Sequence, residues 1–412
     1  MPCQQPSSRP YIRRFAIIAA CLSEIFASAS ASPGGSDEGF AKLVSWMKLH
    51  GGRVDSRIDV STNDDGVRGA FALSAIEEGT ELLFCLWELV IGSAGMQDQM
   101  QKGDGMCGVV ERMADEMRLE SRSMWHPYLD HIELPRLAAN WGASALAELQ
   151  GLLPIHEATR HMRWFQHSCG GDLGDAAAVR SLVAFTSRAS DVGMVPIYDL
   201  LNHHNGKRNA KLSLAEDGVR LVAVGKQRDG GDRVVIERGQ EIYLSYGLKT
   251  ASSMYRDYGF VEEWPTCWNF EDPASGDNFA FVLYPSGNAA INPSAEFLRR
   301  MFQSDESLAE CEEGAARHTG SLSAIDLERF ARAAHARLRE FPSTLGEDRR
   351  LLFAEKQALL VASPGGSSSD IEDVIDAMNY RIAFKSALTS SYIYAESMAA
   401  GRANHDAGNL EL

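Results

Sequence analysis

The sequence predicts an α+β protein, in which a β-rich region of small sheets carries a helical insertion and is followed by an all-helical C-terminal region. Short apolar runs separated by Gly66, Gly69 and Gly79 indicate small strands joined by tight turns. Similar runs return only after a mainly helical stretch at about residues 92–182. Beyond Pro293 nearly every segment has apolar residues at helical spacing. We therefore expect a β-rich domain at residues 36–280 and a helical domain at residues 281–412.

Individual elements follow in chain order. Phe40, Leu43, Val44 and Met47 share one helical face, and Gly51 with Gly52 ends that helix. Strands are predicted from residue 65 onward, and again in residues 193–201, 218–224 and 234–247. The polar stretch RDGGDR is predicted as the tip of a hairpin between the last two of these strands. Three long amphipathic helices complete the chain, the last two separated by SPGGSSSD.

Composition limits the kinds of partner. The chain has 412 residues, of which 45% are hydrophobic, so it can form two ordinary cores. A formal net charge of -16 disfavours binding to nucleic acid or anionic lipid, and we expect a protein or small-molecule partner. The seven cysteines are scattered without a C-x-x-C pair, which disfavours a zinc site. A reduced compartment fits them best, although the sequence leaves one or two disulfides open.

Residues 1–35 have the layout of a cleavable targeting segment. Arg13 and Arg14 precede an apolar run at residues 15–22, and a stretch of small residues follows at 27–31. A disordered tail is the alternative interpretation. No other segment approaches the roughly 18 consecutive apolar residues of a membrane span, and we expect no transmembrane segment.

The stretch VPIYDLLNHHNG, residues 195–206, combines an apolar run with a cluster of polar side chains. Asp199, Asn202, His203, His204 and Asn205 are too many polar groups to bury without partners, so a ligand is expected against them. A metal site is disfavoured because adjacent histidines on a strand point to opposite faces.

Serine, cysteine and tyrosine residues elsewhere in the chain are also candidate catalytic groups. A hydrolase is disfavoured because Ser187, Ser245 and Cys267 lie outside any recognisable nucleophile motif. The segment from Gly239 to Glu263 contains the pairs Tyr246-Gly247 and Tyr258-Gly259 around a short helical pattern. A lone tyrosine there would be interpreted as a core aromatic.

The combination of motifs is more specific than any one of them. GVRGAFA, SR, VPIYDLLNH, GQEIYLSYG and YGFVEE follow one another in an order that resembles the SET-domain protein methyltransferases. The helical insertion and helical C-terminal region are similar to the class typified by the Rubisco large-subunit lysine methyltransferase. Residues 121–135 resemble that class's S-x-W-x-x-Y-L segment, and residues 339–352 its P-T-T-x-x-x-D-x-x-L-L segment.

The resemblance implies an S-adenosylmethionine-dependent protein-lysine N-methyltransferase that acts on a non-histone protein and needs no metal. It implies that the helical C-terminal domain docks the protein substrate, and that a cleaved N-terminal segment would direct the chain to a plastid or another organelle rather than the cytoplasm. Tyr246 matches the catalytic tyrosine, and the implied substrate-binding residues are Arg188, Asp199 and Tyr258. The implied cofactor-binding residues are Gly66, Arg68, Gly69, Asn202, His203 and Phe260.

Departures from the family pattern keep two alternatives open. Lysine methyltransferases of this class tend to carry an aromatic residue where Ser190 stands. The actin histidine methyltransferases have a polar residue there and a run similar to residues 202–206, so histidine is an alternative acceptor. Ala251 replaces a frequent asparagine, and with Ser190 it motivates the other alternative, a SET-like protein-binding module without catalysis.

Overall fold

The strands form several small sheets around the segments that carry the motifs. The computed structural model describes residues 38–63, 66–92, 104–225, 234–247, 249–262, 265–303, 308–361 and 368–409. The predicted targeting segment or tail at residues 1–35 lies outside them. No helix among the described residues is long and apolar enough to cross a bilayer.

Strand boundaries follow the glycine-punctuated pattern of the sequence. The strands are β1 (Arg53–Val54), β2 (Ile58–Thr62), β3 (Arg68–Ala72), β4 (Ile76–Glu77), β5 (Glu81–Leu86), β6 (Asn202–His203), β7 (Ala210–Leu214), β8 (Gly218–Ala223), β9 (Val234–Ile236), β10 (Tyr243–Leu244), β11 (Thr266–Glu271), β12 (Asn278–Leu283) and β13 (Ala289–Ile291). One sheet has the order β1-β5-β8-β7, and another has the order β11-β12-β13. The pairs β2-β3, β4-β9 and β6-β10 form two-stranded sheets. Strand β5 has four consecutive buried residues because it lies between β1 and β8.

Two of the predicted strand features are wrong. Strands β8 and β9 do not form a hairpin, because β8 pairs with β5 and β7 while β9 pairs with β4. The stretch RDGGDR itself lies outside the described residues. Residues 193–201 do not form a strand either: Met194 makes an isolated bridge to Ile91, and a 3-10 turn follows at Tyr198–Leu200. The apolar side chains of that segment are buried in a turn, which periodicity alone cannot distinguish from a buried strand.

Helices make up the regular structure of the insertion and of the chain after the last strand. They are α1 (Glu38–Leu49), α2 (Asp104–Leu119), α3 (His126–Leu129), α4 (Ala143–Glu148), α5 (Ile155–Ala158), α6 (Arg160–Ser168), α7 (Ala176–Arg188), α8 (Ala251–Tyr258), α9 (Ala295–Gln303), α10 (Leu308–Ser321), α11 (Ala324–Glu340), α12 (Leu345–Val361) and α13 (Ser368–Asn409). The side chains of two N-cap residues accept backbone N–H bonds, Asp175 at the start of α7 and Thr250 at the start of α8. The predicted fold class is confirmed, with small sheets, a helical insertion and C-terminal helices. The predicted boundary between residues 280 and 281 falls inside β12, and the domain division stays a prediction.

Two main cores support this arrangement. The first packs α1 and the sheets around β5 and β8 against α2 and α7 of the insertion. The second is rich in aromatic rings, with Phe270, Phe279 and Phe281 of the β11-β12-β13 sheet surrounding Phe330 of α11 in edge contacts. Insertion residues such as Trp141 belong to the second core, so the insertion contacts both cores.

A buried ion cluster joins α12 and α13. Asp348 accepts a bond from Nζ of Lys385 at 2.6 Å and lies 3.0 Å from Nη2 of Arg381, and the three side chains are almost fully buried. Burial disfavours the charged carboxyl, but the hydrogen bonds from Lys385 and Ser343 and the charge of Arg381 lower the pKa of Asp348. Asp348 is the aspartate of the P-T-T-x-x-x-D-x-x-L-L-like segment, so this motif residue holds two helices together.

The cysteines form one disulfide among the described residues. Cys107 of α2 is bonded to Cys169, which follows α6, while Cys85, Cys267 and Cys311 are free and buried. The bond closes the insertion on itself across 62 residues of sequence. It is one of the bridges that the sequence left open.

Candidate active site

A short parallel pair of strands brings the two most distinctive motifs together. Strand β6 contains the Asn202-His203 dipeptide, and it pairs with Tyr243–Leu244 of β10. The chain after β10 therefore runs beside His203, and the backbone N–H of Tyr246 donates to Nδ1 of His203 at 2.9 Å. Two segments about 40 residues apart thus meet in one place.

Aromatic rings form a continuous row from His203 outward. The imidazole of His203 stacks on Tyr246 with the ring centroids 5.0 Å apart, and Tyr246 packs on Tyr258 at 4.9 Å. Phe260 completes the group at 6.3 Å from both His203 and Tyr258. Helix α8 ends at Tyr258, so this helix positions the outer ring relative to Tyr246.

Tyr246 remains a neutral phenol. Its hydroxyl donates to the backbone carbonyl of Leu201 at 2.6 Å. Burial raises its pKa well above the usual value, against the lowering effect of the Arg188 charge. The phenol therefore orients and hydrogen-bonds neighbouring groups at neutral pH, and it is not ionised there.

Asn202 fixes the glycine-containing loop. Its Nδ2 donates to the backbone carbonyl of Arg68 at 2.8 Å and to Oε1 of Glu241 at 2.7 Å. A Cβ atom at Gly69 would lie 2.3 Å from Oε1 of Glu241 and 2.9 Å from Nδ2 of Asn202, so only glycine allows these contacts. Gly66 lies three residues before Gly69, with a φ of 78° that favours glycine. The structure thus explains why glycine is required at both positions without invoking a bound ligand.

Glu262 satisfies much of the polar cluster of residues 195–206. Its carboxylate lies 3.1 Å from Nε2 of His203 and accepts from the backbone N and Nδ2 of Asn205 at 2.6 and 3.0 Å. Nδ1 of His204 lies 3.7 Å from the same carboxylate. The expectation that adjacent histidines diverge is therefore wrong, because β6 ends at His203 and His204 lies beyond the strand.

These internal partners correct the expectation that a ligand must account for the whole cluster. Asn202, His203 and Asn205 obtain partners from Glu241 and Glu262. The sequence assigned no role to either glutamate. Both glutamates lie inside the motifs GQEIYLSYG and YGFVEE, but their contacts with residues 202–205 depend on the tertiary structure, including the pairing of β6 with β10.

Asp199 is the middle residue of the 3-10 turn Tyr198–Leu200 and is buried. It follows Ile197, which adopts a φ of 71°, a left-handed conformation that is costly for a β-branched residue. The hydroxyl of Tyr128 donates to Oδ2 of Asp199 at 3.0 Å, and Nη1 of Arg188 donates to its backbone carbonyl at 2.7 Å. Burial raises the pKa of Asp199 to about 6, opposed by the charge of Arg188 and the Tyr128 hydrogen bond.

A cavity of about 390 Å³ opens beside Tyr246. Its walls include Ser190, Tyr198, Asp199 and Tyr258, and its lining includes the charged residues Arg188, Asp191, Arg208, Lys211 and Lys249. Nζ of Lys249 lies 5.5 Å from the ring centroid of Tyr258. The hydroxyl of Ser190 donates to the carbonyl of Gly193 at 2.9 Å and is therefore engaged in its own turn.

The cavity separates the predicted site residues into two sets. The predicted catalytic and substrate-binding residues all line it: Arg188, Asp199, Tyr246 and Tyr258. The predicted cofactor-binding residues do not line it: Gly66, Arg68, Gly69, Asn202, His203 and Phe260. Tyr246 joins the two sets, because it lines the cavity and also stacks on His203.

The residues weighed for a hydrolase have other partners. Ser187 donates to the carbonyl of Val183 at 2.8 Å, and Ser245 donates to Oδ1 of Asn205 at 2.6 Å. Burial raises the pKa of Cys267 to about 11, so it remains a thiol. None of the three donates to a histidine, which nucleophilic catalysis by a serine or cysteine would require.

Comparison with solved structures decides the fold. The structure of Rubisco LSMT bound to AdoMet aligns with a TM-score of 0.53 over 89% of this chain and 92% of that chain, at 16% sequence identity. The chain has the SET fold of Rubisco LSMT. The SET domain of LSMT bound to MeLysine and AdoHcy gives the same TM-score and identity over 89% of this chain and 93% of that one. Rubisco LSMT bound to sinefungin and monomethyllysine gives 0.53 and 16% over 89% and 92%.

At this identity the likeness concerns the SET fold alone. No sequence-family model matches the chain, and no curated protein sequence matches it. The resemblance inferred from ordered motifs is therefore confirmed at the level of the fold, with about nine-tenths of both chains covered.

Proposed function

We propose that the protein is an S-adenosylmethionine-dependent protein-lysine N-methyltransferase that acts on a non-histone protein. The observation that carries the proposal is the position of Tyr246, which joins the cavity to the cluster around Asn202 and His203. A methyltransferase must hold its donor and acceptor in line, and one residue that contacts both binding regions serves this need.

The cluster on the His203 side fits the methyl donor. Both side-chain hydrogen bonds of Asn202 use its Nδ2, and its Oδ1 accepts no bond from the described residues, which leaves an acceptor suited to an adenine amine. Phe260 is half-buried beside His203 and offers an apolar ring face. When bound, S-adenosylmethionine would supply an electrophilic methyl group and a sulfonium charge. The residues proposed to hold it are Gly66, Arg68, Gly69, Asn202, His203 and Phe260.

Residues of the cavity suit a lysine side chain. Tyr198, Tyr246 and Tyr258 give aromatic walls that can contact an aliphatic stem and its cationic head. Transfer requires the neutral amine, and burial in this cavity lowers the pKa of an amine. The neutral phenol of Tyr246 can accept a bond from that amine and orient its lone pair, because its own proton is held by Leu201.

Lysine is favoured over histidine because the polar groups that motivated histidine are engaged elsewhere. Ser190 donates to Gly193, and Asn205 is bound to Glu262 and Ser245 without lining the cavity. Neither Ser190 nor Asn205 therefore offers a hydrogen-bond donor to the imidazole of a substrate histidine in the cavity.

For the protein substrate, we propose docking on the C-terminal helices, with α12 as the principal contact. Phe353 and Leu360 are seven residues apart on α12, so they share one face, and they are 67% and 77% exposed. Large apolar side chains exposed together on a helix are typical of a protein-interaction surface. Replacing both residues with serine should raise KM for a folded protein substrate and leave KM for a short acceptor peptide unchanged.

The transferase is tested by incubating purified protein with cell extract and isotope-labelled S-adenosylmethionine, followed by peptide mass spectrometry. Tyr246→Phe should bind the cofactor normally and lower kcat by about 10- to 100-fold, since the lost hydroxyl acts mainly in the transition state. Tyr380→Phe is a matched control, because Tyr380 is a buried tyrosine that stacks on Tyr255 and does not line the acceptor cavity.

Three outcomes would contradict the proposal in different ways. Label on histidine would identify the other acceptor. Cofactor binding with no labelled protein in any extract would favour a non-catalytic binding module. Absence of cofactor binding would contradict the function as a whole.

A further inference from the structure

Helix α3 links the helical insertion to the acceptor cavity. It belongs to the S-x-W-x-x-Y-L-like segment, whose side chains had no assigned role. Nε1 of Trp125 donates to the carbonyl of Leu89 at 3.0 Å and anchors the start of α3 beside the end of β5. Tyr128 is almost fully buried, and its hydroxyl donates to Oδ2 of Asp199 at 3.0 Å.

One carboxylate oxygen of Asp199 has no hydrogen-bond partner among the described residues. Arg188 holds its backbone carbonyl, so backbone and carboxylate are fixed by different residues. Tyr128 is the hydrogen-bond donor to the carboxylate among the described residues, and Oδ1 is buried without a partner there. The ionisable groups whose charges act on or respond to Asp199 are Tyr128 of α3, Arg188 of α7, Arg68 of β3, Cys85 of β5 and Tyr246.

We propose that Tyr128 is a positioning residue that fixes the rotation of the Asp199 carboxylate and keeps Oδ1 available to the methyl-accepting group. A carboxylate held at one oxygen cannot turn freely, and its other oxygen keeps a constant direction. The inference rests on the proposed function, and it gives the insertion a part in arranging the acceptor side of the site. Tyr128 itself does not line the cavity.

The test is the pH dependence of kcat/KM for Tyr128→Phe, which removes one oxygen and preserves the ring. Donation to the ionised carboxylate favours its charged form, so loss of the donor should move the acid limb of the profile to higher pH by about one unit. KM for the acceptor peptide should rise several-fold, whereas the Kd of S-adenosylmethionine should stay within twofold.

Two controls separate positioning from general support of the fold. Trp125→Phe removes the other buried side-chain donor of the same segment, and it should leave the acid limb where it is in the wild type. Tyr128→Phe introduced into Asp199→Asn should cause no further kinetic change, because the carboxylate it acts on is gone. An unmoved acid limb in Tyr128→Phe, or an equal effect in the Asp199→Asn background, would overturn the proposal.

A second readout does not need activity. Without the Tyr128 donor, ionising buried Asp199 costs more, so Tm should fall more steeply between pH 5 and pH 7 in Tyr128→Phe than in the wild type. In the Asp199→Asn background the two slopes should coincide. If the wild type transfers no methyl group, the proposed function fails, and equal slopes with and without the tyrosine would separately overturn the Tyr128–Asp199 link.

Discussion

Nε2 of His203 lies 3.1 Å from Oε2 of Glu262, and both side chains are buried. Nδ1 of the same imidazole accepts the N–H of Tyr246, so we assign the ring proton to Nε2, where it points at the carboxylate. Glu262 therefore fixes the orientation of the His203 imidazole, on which Tyr246 stacks. It also holds Asn205, which makes this one carboxylate the common partner of the polar cluster.

Glu262→Gln should destabilise the protein by about 1–3 kcal/mol, because an amide cannot accept all the donors that the carboxylate accepts. S-adenosylmethionine affinity should fall with it, since His203 loses its orientation. Chemical unfolding and calorimetric titration measure the two effects. Glu271→Gln is the exposed control, and an equal effect there would contradict the assignment.

Asp199→Asn should change how stability depends on pH. The folded-state pKa of about 6 lies above the ordinary value of 3.8, so the wild type is favoured at low pH, where Asp199 is protonated in both states. That advantage, about 3 kcal/mol for a pKa raised from 3.8 to about 6, is lost as pH rises from about 4 to 6. Denaturant titrations at pH 4, 5, 6 and 7 should therefore show the variant gaining stability relative to the wild type over this range. A constant difference would contradict the raised pKa.

Loss of the Cys107–Cys169 bond should lower the free energy of unfolding by about 2–4 kcal/mol, because the bridge closes a long loop of the unfolded chain. The Cys107→Ser/Cys169→Ser variant should show this loss in denaturant titrations. Adding a reductant should lower the Tm of the wild type and leave the variant unchanged. A reductant effect of the same size in both proteins would mean that another thiol is responsible.

Asp348→Asn should cost about 3–5 kcal/mol, since it leaves Lys385 and Arg381 as buried cations with an uncompensated charge. Glu313→Gln removes one partner of the exposed Arg317 ion pair and should change stability by less than about 0.5 kcal/mol. Thermal unfolding of both variants measures the contrast. A small effect at Asp348 would contradict its role in holding α12 on α13.

Charge at the cavity should influence which substrate is accepted. Lys211 and Lys249 line the cavity and form no ion pair with another described residue. Acidic residues of a substrate, next to its methyl-accepting residue, could therefore pair with these two lysines. Lys211→Glu/Lys249→Glu should lower kcat/KM for an acidic acceptor peptide about tenfold at low salt, with the difference shrinking as salt is added. Lys42→Glu, on α1, is the control and should have no such effect. Equal loss for acidic and neutral peptides would contradict a charge-based preference.

The spacing of apolar residues in the sequence predicts the helices correctly where that spacing follows the helical period. The helix at Glu38–Leu49, the helix between Tyr246 and Tyr258, and the C-terminal helices all lie where the sequence predicts them. The strand predicted at residues 193–201 is wrong because a buried turn and a buried strand can have the same apolar composition. The predicted β8–β9 hairpin is wrong because strands pair with partners that are distant in sequence: β8 pairs with β5, and β9 pairs with β4.

The sequence by itself predicted the SET fold class, because the ordered motifs indicate which segments must meet. Tertiary structure alone decided how they meet. The partners Glu241, Glu262 and Tyr128 lie 39, 59 and 71 residues from the side chains they bind, and no local pattern encodes those contacts. A hydrogen bond depends on distance and angle in space, and the parallel pairing of β6 with β10 and the packing of α3 set both.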